Sequence, residues 1–124
     1  MKVLIIDNYD SFTFNLYQLT GEVLHEEFPN EINDIIVKRN DKINLAEIKK
    51  INFDKIIISP GPGSPVDDSY FGICKEVIRE LGNENIPILG ICLGMQGIVH
   101  VLGGEIIHAK SPMHGKSSFL IHNE

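Results

Sequence analysis

Short, wholly apolar runs separated by stretches of helical period leave this chain few folds to choose from. Val3-Leu4-Ile5-Ile6, Ile35-Ile36-Val37, Lys55-Ile56-Ile57-Ile58 and Pro87-Ile88-Leu89-Gly90-Ile91 are too short for helices and lack the polar alternation of half-solvated strands. Continuous runs of this kind are strands buried on both faces, the habit of parallel sheets covered by helices. After the first run, Phe12, Leu16, Leu19 and Val23 fall at i, i+4, i+7 and i+11, one face of a helix. Asn44, followed three residues later by Glu47, has the spacing of a capping box for a short helix from Leu45 to about Lys50. Asp67, Asp68 and Ser69 offer N-caps to a further helix with Tyr70, Ile73, Cys74, Val77, Ile78 and Leu81 on one stripe, ended by Gly82-Asn83. Strand and helix alternate, which predicts an α/β fold: a doubly wound, mostly parallel sheet with helices on both faces, flavodoxin-like in its winding.

The 124 residues suit one domain, 1–124, around one core. A formal charge of −6 provides no basic footprint for nucleic acid or an anionic membrane, so small polar molecules and protein partners are expected. No apolar run approaches the roughly 20 residues of a membrane span, and Met1-Lys2 leads into the first strand without a signal-peptide pattern. The expectation is a cytoplasmic protein. Cys74 and Cys92, the two cysteines, are too few for a zinc site and far apart in sequence, so reduced thiols are expected, with no metal and no cofactor. His25 to Asn33 reads as a surface connection. A nearly all-apolar helix from Leu93 to Leu102 should be central, and Gly103-Gly104 should stop it. Glu105-Ile106-Ile107 and Phe119-Leu120-Ile121 are predicted as further short strands.

The chemistry is concentrated at Gly90-Ile91-Cys92-Leu93-Gly94, where a strand runs into a cysteine flanked by glycines and a helix follows. This is the thiol form of the nucleophile elbow, a strained turn that projects the nucleophile out of the sheet. The helix N-terminus behind it favours a thiolate, and the Leu93 N–H points where an oxyanion would form. A packed, inert cysteine on a glycine-rich turn is the competing reading. Ser59-Pro60-Gly61-Pro62-Gly63-Ser64-Pro65 forms a stiff loop after the third strand, at the carboxyl edge where parallel sheets bind ligands. Cys74, on a helical stripe, reads as core packing.

Four segments taken together carry a family resemblance: Asp7-Asn8-Tyr9-Asp10-Ser11-Phe12-Thr13, the Ser59–Pro65 loop, the Gly90–Gln96 elbow and Met113-His114-Gly115-Lys116. They resemble the class I (triad) glutamine amidotransferases, most of all the small glutaminase subunits of anthranilate synthase and aminodeoxychorismate synthase. The resemblance implies that Cys92 attacks the carboxamide of L-glutamine and forms a thioester. It implies an oxyanion hole from the N–H groups of Gly61 and Leu93, and glutamine held by Gly61, Pro62, Gly63 and Gln96. Ammonia would pass to a large synthase subunit that aminates chorismate, in the tryptophan or the folate pathway. The family draws its base and orienting acid from a downstream His-x-Glu motif preceded by a His-Ser segment. The expectation here is a C-terminal truncation that lacks both, with His25, His100, His108, His114 and His122 in other roles. Surface so exposed should cause self-association or marginal stability. A glutaminase-like docking subunit without turnover is the alternative. A receiver-like phosphoacceptor, suggested by Asp7 and Asp10, would want an aspartate where Ser59 stands, and another elbow-cysteine hydrolase would leave the loop and the opening motif unexplained.

Overall fold

The computed structural model describes residues 1–111, 117 and 119–122. Its elements, in chain order, are β1 (Lys2–Asp7), α1 (Thr13–Glu27), β2 (Asp34–Arg39), α2 (Leu45–Ile51), β3 (Lys55–Ile58), α3 (Asp68–Phe71), α4 (Cys74–Asn83), β4 (Ile88–Gly90) and α5 (Leu93–Val101). The four strands pair in the order β2-β1-β3-β4, every pair parallel. Val3 lies opposite Ile35 on one side and Lys55 on the other, and Ile56 lies opposite Ile88. This is the doubly wound α/β sheet that the apolar runs predict. β1, paired on both sides, buries Val3, Leu4, Ile5 and Ile6 almost completely.

Because side chains alternate along a strand, Leu4, Ile6, Ile56 and Ile58 share one face. They pack with Ile48 of α2, Phe71 of α3, Cys74, Val77, Ile78 and Leu81 of α4, and Leu93 of α5 in one continuous core. The Asn44–Glu47 capping box forms as expected: the Asn44 side chain accepts from the Glu47 N–H at 2.9 Å, and the Glu47 carboxylate accepts from the Asn44 N–H at 3.0 Å. The opposite face, which carries Val3 and Ile57, is covered by α1 alone among the described residues. Beside α1 it leaves an apolar groove of about 390 Å³ whose walls include Leu19, Val23, Ile57, Leu89 and Ile91.

Several expectations need correction. The stripe of α1 is not buried: Phe12 and Leu19 are more than half exposed, and Thr13 and Leu24 are its buried residues. One helix cannot cover a four-stranded face, so its flank opens on the groove. α1 also runs on to Glu27, so His25 is helical rather than part of a connection. The helix expected from Tyr70 to Leu81 is two helices. Gly72 takes φ 51° between α3 and α4, and the Ile73 N–H leaves the helical ladder to donate to the Asn40 carbonyl at 3.1 Å. α5 is not central either, because it lies against α4 at the β4 edge and leaves Met95, Val99 and Leu102 exposed. Residues 105–107 and 119–121 form no strand, since an apolar triplet without a partner strand has nowhere to place its backbone hydrogen bonds. Pro112 and Met113-His114-Gly115-Lys116 lie outside the described residues.

Candidate functional site

The chain leaves β1 for one neighbour and returns to the other side at β3, so the carboxyl ends of β1 and β3 form the switch point of the sheet. Open α/β sheets leave a crevice there. Asn8 follows β1, and Ser59, Pro60 and Gly61 follow β3. β4 ends alongside, and its turn carries Cys92.

Only Ile91 and Cys92 separate β4 from α5. Ile91 still donates its N–H to the Ile58 carbonyl at 3.0 Å, so the turn begins while the chain is pinned to β3. Cys92 then takes φ 50° and ψ −107°, in the half of the map where a Cβ is costly, on the order of 1–3 kcal/mol. Such strain persists only where neighbours enforce it, and here the two glycines do. A Cβ on Gly90 would overlap the Gly94 backbone, and one on Gly94 would overlap the Ile58 carbonyl. The result is a free, exposed thiol at the start of α5. Gln96 follows one turn later, its N–H donating to the Cys92 carbonyl at 2.9 Å. The Gly94 N–H is taken by the Ile91 carbonyl at 3.0 Å, whereas the Leu93 N–H meets no acceptor among the described residues.

The Ser59–Pro65 loop reaches this turn. A Cβ on Gly61 would lie 2.5 Å from the Asn8 Cβ and carbonyl oxygen and 3.0 Å from the Leu93 Cδ2, so the Gly61 backbone is wedged between Asn8 and the residue after the cysteine. Its N–H also meets no acceptor among the described residues. Pro62 and Gly63 follow in the same loop, both exposed. Cys92 and Leu93 thus meet Gly61 at one rim, from two segments about thirty residues apart, with Gln96 one turn into α5.

The opening motif proves to be a brace. Asp7 accepts from the Asp10 N–H at 3.1 Å and the Thr13 hydroxyl at 2.8 Å, and it approaches Arg39 at 3.7 Å, so it holds the start of α1. Tyr9, at φ 61°, donates its hydroxyl to the Asp41 carboxylate at 2.7 Å and stacks under the Arg39 guanidinium. That hydrogen bond raises the Tyr9 pKa and lowers that of Asp41. Asn8, which the motif alone does not single out, is buried, with its side chain bonded across the switch point. Its signal was an asparagine directly after a strand, two residues past the apolar run Val3–Ile6. Cys74 is core, as expected, and burial pushes its thiol up to about 12 against the lesser opposing pull of its hydrogen bond to Asn8.

The histidines need one correction. Two of them do have a glutamate two residues on, Glu27 after His25 and Glu124 after His122. His25 sits in the last turn of α1, a helix that starts at the rim and, at about 1.5 Å per residue, ends roughly 20 Å away. His100 is in the last turn of α5, pointing the chain away from Cys92. His114 and Glu124 lie outside the described residues. Among the described residues, no cluster of three or more His, Cys, Asp or Glu could hold a metal ion, and no helix is long and apolar enough to cross a membrane.

Residues 4–124 match the family model described as glutamine amidotransferase class-I. Anthranilate synthase component 2 of Leptospira biflexa is 56% identical over 124 residues, covering 99% of this chain and 60% of that protein. The protein of the same name from Methanothermobacter thermautotrophicus is 49% identical over 98% of this chain and 59% of its own length. The aminodeoxychorismate/anthranilate synthase component 2 of Bacillus subtilis is 46% identical over 98% of this chain and 56% of its own length. The chain therefore spans about three-fifths of the length of these relatives.

Proposed function

The chain belongs to the class I glutamine amidotransferase family, and from that premise we propose that residues 1–124 form the glutamine-binding, thioester-forming domain of a chorismate-aminating synthase. The observation that carries this reading is the rim itself: a strained, exposed cysteine, the Gly61 loop packed against the residue that follows it, and N–H groups of Leu93 and Gly61 that meet no acceptor among the described residues. Hydrolysis of a carboxamide needs a nucleophile, donors where charge develops and a proton for the leaving amine. In the proposed reaction the Cys92 sulfur bonds to the carboxamide carbon of L-glutamine and the C=O electron pair moves onto oxygen, where the two N–H groups stabilise it. Collapse breaks the C–N bond, ammonia leaves with an added proton, and the glutamyl thioester is then hydrolysed by water. Gly61, Pro62, Gly63 and Gln96 hold the substrate. No residue of this chain is assigned as the proton donor.

The names of the relatives support a large synthase subunit as partner and recipient of the ammonia, for anthranilate or for 4-amino-4-deoxychorismate. Two free thiols, one of them exposed, fit a reducing cytoplasm. A docking subunit without turnover is the second reading. Ammonia release from glutamine by the purified chain, lost in Cys92→Ser, is the expected result. A Cys92→Ser variant that releases as much ammonia as the parent would defeat the proposal, and a parent that binds its synthase but releases none would favour docking alone.

A further inference from the structure

Behind the Gly61 loop, the side chain of Asn8 joins three strand ends and a helix junction. It is only 1% exposed. Its Nδ2 donates to the Ser59 carbonyl at 2.9 Å, and its Oδ1 accepts from Asn40 Nδ2 at 2.8 Å and from the Cys74 thiol at 3.3 Å. Its backbone N–H donates to the Ser59 hydroxyl at 2.9 Å, and that hydroxyl donates on to the Pro60 carbonyl at 2.7 Å. Asn40, itself buried, also donates to the Tyr70 carbonyl at 2.7 Å and so ties in the α3–α4 junction. The amide cannot flip without setting Oδ1 against the Ser59 carbonyl and Nδ2 against two donors.

This fixed amide meets the rim where precision matters. Both Ser59 and Pro60, the residues that carry the chain to Gly61, have a polar group bonded into the network, and the Asn8 Cβ and carbonyl form the wall against which the Gly61 backbone rests. Resting on the reading of the site given above, we propose that Asn8 is a positioning residue for the reaction: it sets the Gly61 N–H in register with the Leu93 N–H. Asn8 touches no reacting atom. Its side chain acts through the Ser59 carbonyl, while its backbone N–H holds the Ser59 hydroxyl that bonds Pro60; loss of the side-chain amide lets the loop slide on the rim while Cys92, held by Gly90 and Gly94, stays in place.

Two alkylating reagents separate these effects on the full chain. A diazo ketone analogue of glutamine reacts well only when its carbonyl is held by the loop; iodoacetamide needs only an exposed thiol. The parent is expected to react with the analogue at Cys92, saturably and with protection by glutamine. In Asn8→Ala the limiting rate with the analogue should fall roughly 10- to 100-fold, the loss typical of a slightly misplaced or missing oxyanion donor, with the iodoacetamide rate unchanged. If Asn8→Ala melts without cooperativity, Ser59→Ala, which cuts the link to Pro60 but keeps the amide, decides instead through a smaller loss of the same kind. Equal analogue rates in a folded variant and the parent overturn the positioning role alone. A parent that reacts with iodoacetamide but shows no glutamine-protected reaction with the analogue overturns the reading of the site, and this inference with it.

Discussion

A single methyl group tests the rim. In Gly61→Ala the new Cβ meets the Asn8 carbonyl and Cβ at 2.5 Å, and backbone cannot yield as a flexible side chain would. The loop must shift, so glutamine-protected labelling of Cys92 should slow by roughly 10- to 100-fold, followed by mass spectrometry, with about 1–3 kcal/mol of stability lost to overpacking. Cys74 tests the core through pH. Its thiol has an ordinary value of 9.0 and is raised to about 12 in the fold, so the folded state keeps the proton that the unfolded chain releases. The stabilisation is complete below about pH 9 and is lost as pH rises toward 12. Denaturant midpoints should therefore fall more steeply over that range for the parent than for Cys74→Ala, and parallel curves would contradict the assignment. Iodoacetamide at mild pH should modify Cys92 and spare Cys74, as their exposure dictates.

At the scale of elements, the capping box of α2 is the clearest local signal that became structure. Asn44→Ala removes one acceptor from the first turn and should cost about 1 kcal/mol in urea unfolding, with labelling of Cys92 unaffected. This feature was legible because capping depends on residues three apart. The four strands were legible because short continuous apolar runs suit a parallel sheet under helices, although only β1 obtains near-complete burial and the edge strands β2 and β4 are partly exposed. The split between α3 and α4 was not, since it depends on the Asn40 carbonyl, thirty-three residues before Ile73, accepting that N–H. Nor was the exposure of α5: an all-apolar helix reports that it prefers burial, and only the packing reports how much it obtains. At the site, spacing pointed to Cys92, to the Leu93 N–H and to the Ser59–Pro65 loop, the family resemblance added Gln96 and the role of Gly61, and neither pointed to Asn8. A buried asparagine and a loop asparagine are the same letter, and only the partners at Ser59, Asn40 and Cys74 separate them.

On the scale of the whole molecule, the two faces of the sheet are unequal. One carries a continuous core; the other carries α1 and an apolar groove that reaches β4, which has no second partner strand among the described residues. An unpaired edge beside apolar surface is a template for association, and a second copy of this chain presents the same edge. Sedimentation should show association that grows with concentration, reduced by Leu89→Glu on the exposed edge; a parent that sediments as a monomer at all concentrations would contradict this. The network around Asn8 has a consequence in time rather than in space. Its hydrogen bonds span 51 residues to Ser59 and 66 to Cys74, so a chain emerging from the ribosome holds all of β1 long before those partners exist. Long closures of this kind come late in folding. The rim then closes together with the pairing of β1 and β3, which spans the same length of chain, and a nascent chain halted near residue 70 carries every described strand but the fourth and no working crevice.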